Sequence, residues 1–403
     1  MKTISLSPVD YIFTGTGSQP ITFAFFYPTA LDPDVLQKSL RETLEYFPIL
    51  QSQLNKASEM DYRFHITEDG LAFDVSKSDL TFEKSQRVTQ YIAPVSSIEG
   101  MPLTKITLTQ TPKGSILTAS ISHALADGFS YFHFLSSWAR ICRGDSFIKP
   151  YLDRNVFLSK SADREKNIAS DDIYEDCGLF YGGKRQVFHA EQTNDERIFI
   201  PEETIRSSID EAKQKQNVSL TENDVITAHL WRTYIPVWNK GIDDPRTYVT
   251  CPYDFRRTLT HFPSNYFGCA LCFATASIDF KDLLEASIGE LAVLIRNSVG
   301  KINSDYIFNS MNTLDSFRRQ HGLAAMEEVH LRHPEHGLIV TNLTRLPLRD
   351  IDFGSGAPED FLTYAEVLAS AAILPADRGA EILVVHPPEG NEPPHGMKAS
   401  FVA

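Results

Sequence analysis

Two residues that could do chemistry stand four positions apart in the stretch ISHALADGFSYFHF, residues 121 to 134. His123 and Asp127 are followed at once by Gly128. A histidine can remove a proton from a hydroxyl or an amine near neutral pH, because its ordinary pKa lies close to that range. The pair could be a base with an orienting carboxylate, two metal ligands, or one working residue and one structural one.

A metal site would need a third ligand at a suitable spacing, and the sequence contains no HExxH motif. The nearest candidate is Cys269-x-x-Cys272. Residues three apart in a strand point to opposite faces, so these two thiols cannot readily share one metal ion. We therefore expect no metal and interpret both cysteines as small buried hydrophobes. No phosphate-binding loop, dinucleotide fingerprint or nucleophile elbow is present, and a Ser-His-Asp hydrolase stays open without support.

The composition of the chain limits the classes of binding partner and the compartment that we expect. The net charge is −14 with a pI near 5.3, which argues against nucleic acid. The five cysteines are an odd and scattered set, so a disulfide framework is not expected. No apolar run has the length of a signal peptide or a membrane span, so we expect a soluble cytoplasmic protein without a membrane partner.

The elements around the motif predict where it lies. Residues 115–122, SILTASIS, have the pattern of a strand, and after Gly128 the residues Phe132, Leu135, Ala139 and Cys142 have helical spacing. The motif therefore occupies a turn between a strand and a helix. Side chains at such strand ends often face a cleft in layered α/β proteins.

The rest of the chain has two α/β regions separated by the polar stretch 159–195, which we interpret as a surface linker. Ser219 and Glu222 have capping-box spacing and predict the start of a helix. Leu284, Ile288, Leu291, Ile295 and Val299 predict one long amphipathic helix. Two α/β domains of similar size offer a ligand site at their interface.

Several segments, in order, give the chain a family resemblance. HALADG resembles the HxxxDG signature of the coenzyme-A-dependent acyltransferase superfamily, which includes chloramphenicol acetyltransferase, condensation domains and BAHD acyltransferases. Further segments resemble BAHD motifs from about residue 5 to 375: SPVDYIF, PYLDRNVF, SLTENDVITAHLWR, YDFRRTLTHFPSNYFG and LTRLPLRDIDFGSGAP. Condensation domains usually carry HHxxxDG, whereas Ser122 precedes His123 here, which favours BAHD.

The resemblance implies an α/β fold of two chloramphenicol-acetyltransferase-like domains, each a mixed β-sheet flanked by helices, with an active-site tunnel at their interface. The expected boundaries are 1–160 for the first domain, joined by a segment near 352–378, then 161–195 for the linker and 196–403 for the second domain. It also implies an acyltransferase, a monomer with no permanently bound cofactor, that uses acyl-CoA as co-substrate. The acceptor would be a hydroxyl or amine of a small molecule. A donor bound to a carrier protein, or a non-catalytic binding module with this fold, is the alternative.

Roles follow from the same resemblance. His123 would be the general base, with Nε2 facing the acceptor in a ternary complex. Asp127 would turn away and pair with Arg256, with Arg257 as the second choice, and Gly128 would permit a tight exit from the turn. A structural loop beside the coenzyme channel would contain Asp352, paired with a cation, together with Gly354 and Gly356.

This sequence departs from the family pattern at the second signature, where Ser355 replaces a tryptophan, and at Cys269, which replaces an asparagine. With the tryptophan absent, the candidate donors to the oxyanion are Thr341, Asn342 and Ser355. Arg345 matches a position associated with an acidic acceptor. Expected contacts to coenzyme A come from Ser219, Thr221 and Arg257, with charge from Lys213 and Lys215. His133 and His229 are expected to be core or boundary residues.

Overall fold

Two mixed β-sheets organise the chain in a computed structural model, which describes residues 3–67, 70–160, 168–185, 194–216, 218–238, 246–345, 347–363, 367–376 and 378–387. Helices flank both sheets, which confirms the α/β prediction. Most buried apolar side chains of the two halves belong to one continuous core. The sites discussed below therefore sit on packed, rigid elements.

The first sheet has five strands in the order β14-β2-β7-β6-β5. Its strands are β2 (Ile21–Tyr27), β5 (Leu71–Lys77), β6 (Thr104–Thr111), β7 (Gly114–Ile121) and β14 (Asp360–Thr363). β5 and β6 are parallel and the other neighbours are antiparallel. The register pairs Ile21 with Ile121 at one end of the sheet and Tyr27 with Ser115 at the other. The two sequence signatures, HALADG and DFGSG, lie at these opposite ends of the sheet.

The second sheet has six strands in the order β11-β10-β13-β15-β16-β9. Its strands are β9 (Asn194–Ile200), β10 (Arg246–Asp254), β11 (Leu271–Asp279), β13 (Gly337–Asn342), β15 (Ser370–Leu374) and β16 (Ala380–His386). β10, β13 and β15 are parallel neighbours, so their carboxyl ends meet at one edge. Two small sheets complete the described strands: β1 (Thr3–Ser5), β4 (Asp61–Ile66) and β3 (Ser52–Ser58), and β12 (Val329–His330) with β8 (Phe180–Tyr181).

The α-helices of the described residues are α1 (Pro33–Tyr46), α2 (Gly128–Arg143), α3 (Ser170–Cys177), α4 (Glu202–Gln216), α5 (Glu222–Trp238), α6 (Phe280–Glu285), α7 (Ile288–Gly300) and α8 (Ser304–Met326). Short 3-10 helices cover Pro8–Phe13, Pro48–Gln51, Val88–Gln90, Arg154–Lys160 and Leu348–Asp350. The strand and helix predicted around the motif are confirmed as β7 and α2. No helix in the described part of the chain is long and apolar enough to cross a membrane.

Two helix starts differ from the sequence prediction. α5 begins at Glu222, and the backbone amide of Thr221 donates to the Asp224 carboxylate at 2.7 Å. The capping partners are therefore Thr221 and Asp224, two positions beyond the predicted Ser219. The predicted long helix is in fact α6 and α7, because Ser287 forms a capping box that starts a new helix after Leu284.

The predicted surface linker is partly built into the core. Within 161–195 the chain forms α3, whose residues Ile173 and Cys177 are fully buried. The Cys177 thiol donates to the carbonyl of Ser310 on α8, a helix that the sequence patterns did not predict. Because the outer face of α3 is polar, the overall composition of the segment does not reveal its two buried apolar positions.

Residues 352–378 are divided between the two sheets. β14 pairs with β2 in the first sheet, and β15 pairs with β13 and β16 in the second. The chain thus returns to the first half for one strand before it completes the second.

Candidate active site

His123 lies in the turn that joins β7 to α2, at the end of the first sheet where Ile21 meets Ile121. Its ring is partly exposed. The neighbouring hydroxyls of Ser122 and Ser97 are 2.6 Å apart, and the amide of Ala124 donates to Ser122 Oγ. Short-range bonds of this kind fix the turn, so the backbone presents His123 in one orientation.

One face of the His123 imidazole lies flat on the ring of Phe13, with centroids 4.0 Å apart and an interplanar angle of 10°. Nδ1 is buried and has no hydrogen-bond partner on any other described residue. The part of the ring that a substrate can reach is therefore the opposite, Nε2 edge. Phe13 itself is buried at the end of the 3-10 helix Pro8–Phe13.

Burial lowers the pKa of His123 below its usual value, and the negative charge of Asp127 and the residue's own backbone carbonyl only partly oppose this. Desolvation acts this way because it penalises the charged imidazolium. The ring is therefore neutral at pH 7, the state in which a histidine can accept a proton.

Asp127 is buried and points away from the imidazole to Arg256. Its two carboxylate oxygens accept from the guanidinium at 2.7 and 2.9 Å, which makes the pair bidentate. The amides of Ser130 and Ala270 each donate to it at 2.9 Å. Since Ala270 and Arg256 belong to the second half of the chain, the carboxylate ties the turn to that half and also caps α2.

Burial by itself would raise the pKa of Asp127, but the charge and hydrogen bonds of Arg256, together with two backbone amides, lower it below its usual value. The carboxylate therefore stays ionised. A buried carboxylate with four donors has no remaining lone pair directed at His123, so its contribution to the site is structural.

The YFG segment is built around the same pair. Arg256 donates to the carbonyls of Tyr266 and Gly268 at 3.2 and 3.0 Å, and Ser130 Oγ contacts both the carbonyl and the amide of Gly268. A Cβ on Gly268 would lie 2.6 Å from the Tyr266 hydroxyl. Glycine is thus required here for the close approach of backbone and ring.

A second buried ion pair joins Asp10 to Arg154 at 2.5 Å. Arg154 also donates to the carbonyl of Leu125, inside the His123 turn, at 2.7 Å. Burial raises the pKa of Asp10 despite the opposing charge of Arg154, and its Oδ1 atom has no partner. The sequence motifs did not predict this pair, although both residues lie in segments that carry the family resemblance, SPVDYIF and PYLDRNVF.

The DFGSG loop lies far from His123. Asp352 Oδ1 accepts from the amides of Gly354 and Gly356 at 2.8 and 2.9 Å, and Arg143 donates to the backbone carbonyl of Asp352. Both glycines have positive φ, near 106° and 102°. Arg143 ends α2, whose 16 residues span about 24 Å. The loop therefore sits at the opposite end of α2 from the His123 turn.

This location corrects three expectations. Ser355 is exposed, and its carbonyl accepts from Thr29, beyond the Tyr27 end of β2, so it cannot donate to an oxyanion beside His123. Asp352, Gly354 and Gly356 shape a distant loop and do not contact the site. The Asp352 carboxylate binds backbone amides, and no ion pair joins it to a cation among the described residues, contrary to our expectation.

Gly128 is the first residue of α2, has no positive φ, and has open space where a Cβ would lie. The backbone therefore does not require the glycine, which corrects the tight-exit argument. Asn342, at the end of β13, donates to Asn223 Oδ1 at 2.9 Å, so its amide is already engaged. Thr341 precedes it in β13 and Arg345 is exposed beyond it, and no contact joins either to His123 among the described residues.

The expected coenzyme residues gather at one edge. Ser219 and Thr221 lie at the start of α5, and Thr221 Oγ1 binds Asp224 and Arg296 at 2.8 Å. Arg257 is exposed just after β10, and Lys213 is exposed on α4, whereas the side chain of Lys215 lies outside the described part of the chain. Burial raises the pKa of the Cys251 thiol in β10, and the charge of Asp224 adds to this. The start of α5 therefore lies near the carboxyl end of β10.

The remaining candidates are structural. Cys269 and Cys272 are buried, and burial raises the pKa of each thiol above its usual value. His133 contacts the carbonyl of Ile148, and His229 contacts the hydroxyl of Ser208. Within the described residues, no three His, Cys, Asp or Glu side chains are grouped to hold a metal ion.

This arrangement of a histidine, a bidentate ion pair and the YFG segment agrees with the sequence match of residues 1–389 to the profile of the Transferase family. The chain belongs to this family, the BAHD acyltransferases. Its members are enzymes, and this one is an acyl-CoA-dependent O- or N-acyltransferase. The prediction from the resemblance is thereby confirmed.

Similar proteins include the hydroxycinnamoyl-CoA:piscidic acid hydroxycinnamoyltransferase of Actaea racemosa, 23% identical, with 79% of this chain and 76% of that protein covered. Putrescine hydroxycinnamoyltransferase 1 of Oryza sativa subsp. japonica is 24% identical, with 88% and 81% covered. Among solved structures, TRI101 of F. graminearum with coenzyme A and deoxynivalenol has a TM-score of 0.76 at 15% identity, over 96% of this chain and 95% of that one. The fold of this acyltransferase is therefore the two-domain chloramphenicol-acetyltransferase-like fold.

Proposed function

We propose that His123 is the general base of this acyltransferase. The state of the His123 ring carries the proposal. The imidazole is neutral, its Nδ1 is buried and its Nε2 edge is open. The turn that contains it belongs to the first half of the chain and is hydrogen-bonded to the second. No other described residue in this turn has a side chain that titrates near neutral pH.

In the proposed reaction, Nε2 of His123 takes the proton of the acceptor hydroxyl or amine as that oxygen or nitrogen attacks the thioester carbonyl. The carbon–sulfur bond then breaks, and the thiolate leaves with the proton that Nε2 carries. Acceptor and acyl-CoA react directly in one ternary complex, so no acyl-enzyme forms. General base catalysis of this kind contributes roughly 10²- to 10⁴-fold.

The donor side of the site is proposed at the carboxyl ends of β10 and β13. Ser219, Thr221 and Arg257 lie there, next to the start of α5, where backbone amides and the helix dipole favour an anion. The phosphates of coenzyme A are the anions that this edge would bind. A carrier protein that presents the same phosphopantetheine arm is the second donor that we consider.

The acceptor is proposed to be a small molecule with a hydroxyl or amine. Relatives are named for acids such as piscidic acid and for amines such as putrescine, so both ester and amide products belong in the search. We further propose that the enzyme is a cytoplasmic monomer. Its first domain would be 1–160, joined by a segment near 352–378, and its second 196–403, with the 161–195 segment between them.

The test is a panel of acyl-CoAs, from acetyl to hydroxycinnamoyl, against candidate alcohols and amines, with release of free thiol as the signal. His123→Ala should lower turnover by at least about 100-fold. His133→Ala is a matched control, because His133 lies ten residues further along the chain, in α2, and its Nε2 contacts the backbone carbonyl of Ile148. Equal turnover in His123→Ala and the natural enzyme would contradict the assignment.

A further inference from the structure

The 3-10 helix Pro8–Phe13 is the unusual element of the site, because every one of its residues is buried. Short 3-10 helices are normally connectors with poor hydrogen-bond geometry. Here the helix ends at Phe13, whose ring is stacked on His123. Its position is therefore directly relevant to the base.

Phe13 constrains the imidazole in a way that Asp127 does not. Asp127 has its donors elsewhere, and Nδ1 of His123 has no side-chain partner. Apart from the residue's own backbone carbonyl, the rotamer of His123 is therefore held by packing. The flat stack at 4.0 Å supplies that packing on one ring face and leaves the Nε2 edge open.

Arg185 holds Phe13 from both sides along the backbone. Its guanidinium donates to the carbonyl of Ile12 at 2.6 Å and to the carbonyl of Thr14 at 2.5 Å, the two residues that flank Phe13. Its Nε donates to the carbonyl of Glu327 at 3.0 Å. A rigid guanidinium that spans two carbonyls fixes the backbone between them.

We propose that Phe13 is a positioning residue that fixes the rotamer of His123 and directs its Nε2 edge to the acceptor, and that Arg185 fixes Phe13 in turn. The inference rests on the proposed role of His123 as the base. It also gives Arg185, in the segment after α3, the function of holding the end of the 3-10 helix Pro8–Phe13.

Two substitutions of Phe13 separate positioning from simple packing. In Phe13→Leu the apolar cover is kept but the aromatic face that stabilises an imidazolium is lost, so the pKa of His123 should fall further. In Phe13→Ala water reaches the ring, so that pKa should rise toward its ordinary value. Asp127, the charged group that acts on His123, keeps its partners in both variants.

The measurements are kcat and KM across pH, with NMR titration of the His123 ring in the enzyme without substrate. We expect Phe13→Leu to lower kcat about tenfold while KM changes less than about threefold, because a misdirected base affects the chemical step more than binding. Phe317→Leu is the matched control, since Phe317 is similarly buried and its ring centroid lies 4.6 Å from that of a different histidine, His321. That control should leave kcat and the His123 titration unchanged.

Arg185→Met should reproduce the loss of kcat in weaker form, about threefold to fivefold. Its control is Arg332→Met, because burial lowers the pKa of both arginines to about 10. Arg332 also donates to backbone carbonyls, those of Leu368, His333 and Pro334. If Arg185→Met behaves like Arg332→Met in kcat and titration, Arg185 does not act on the base.

The outcomes distinguish this inference from the proposed function. Full turnover in His123→Ala would show that His123 is not the base and would contradict the proposed function. A His123 requirement that persists, with kcat and His123 titration in both Phe13 variants equal to those of the natural enzyme, would overturn only the positioning role.

Discussion

An aspartate that accepts hydrogen bonds from backbone amides lies near each end of helix α2. The two aspartates differ in what else they bind. At the first end, Asp127 accepts from Ser130 and Ala270 and also forms the bidentate pair with Arg256. At the other end, the loop that contains Asp352 folds its carboxylate onto the amides of Gly354 and Gly356. One aspartate joins two halves of the enzyme, while the other closes its own loop.

A family signature in the sequence therefore does not by itself mark a residue of the active site. HALADG and DFGSG both resemble family motifs, yet about 24 Å of helix separates them. The first contains His123 and lies where the two halves of the chain meet. The second stabilises the far end of α2 through Arg143, so its contribution to catalysis is expected to be indirect.

The largest effect should come from breaking the buried pair with Arg256→Met. A buried carboxylate that loses its partner costs about 3–5 kcal/mol of unfolding free energy, and turnover should fall with it. Urea unfolding measures this, with Arg257→Met as the neighbouring control, because Arg257 is exposed and its change should stay within about 0.5 kcal/mol. Equal losses in the two variants would contradict the structural role of the pair.

The charge state of Asp127 gives a second test, with Asp127→Asn compared with the natural enzyme across pH. The folded-state pKa is lowered below 3.8, so the unfolded chain binds more protons as pH falls through that range. The stability from ionised Asp127 should be fully present above pH 3.8 and be lost as pH falls through the folded-state pKa. A stability gap between the two proteins that widens in acid would show the opposite sign.

A smaller effect is expected at the other end of α2. Asp352→Ala removes two hydrogen bonds from backbone amides and should cost about 1–2 kcal/mol of unfolding free energy. Because the loop is distant from His123, kcat should change less than about twofold. A loss of turnover without a loss of stability would place Asp352 in the catalytic machinery and contradict the contrast between the two aspartates.

The smallest effect should come from Ser355→Ala. Ser355 is exposed and its carbonyl, not its hydroxyl, makes the contact with Thr29. Unfolding free energy should stay within about 0.5 kcal/mol and turnover within about twofold. A large rise in KM or fall in kcat would show that the Ser355 hydroxyl contacts a substrate.

Sequence patterns are enough to predict the local structure around His123. Alternating and helical spacing predict β7 and α2, and these two elements suffice to place His123 in the turn between them. The family resemblance supplied Arg256 as the candidate partner of Asp127, 129 residues away. Helix starts were less certain, because Thr221 and Ser219 are both capping residue types and only the hydrogen bonds to Asp224 distinguish them.

The surroundings of His123, in contrast, depend on contacts that only the folded chain makes. The stack of Phe13 on His123, the pair of Asp10 with Arg154 and the reach of Arg185 to Ile12 join residues more than 100 positions apart. Such contacts leave no periodic signal, because any aromatic or charged residue could satisfy the local pattern equally well. The same reason explains Ser355: its spacing from Asp352 is local, but its distance from His123 is set by the length of α2 and the register of the first sheet.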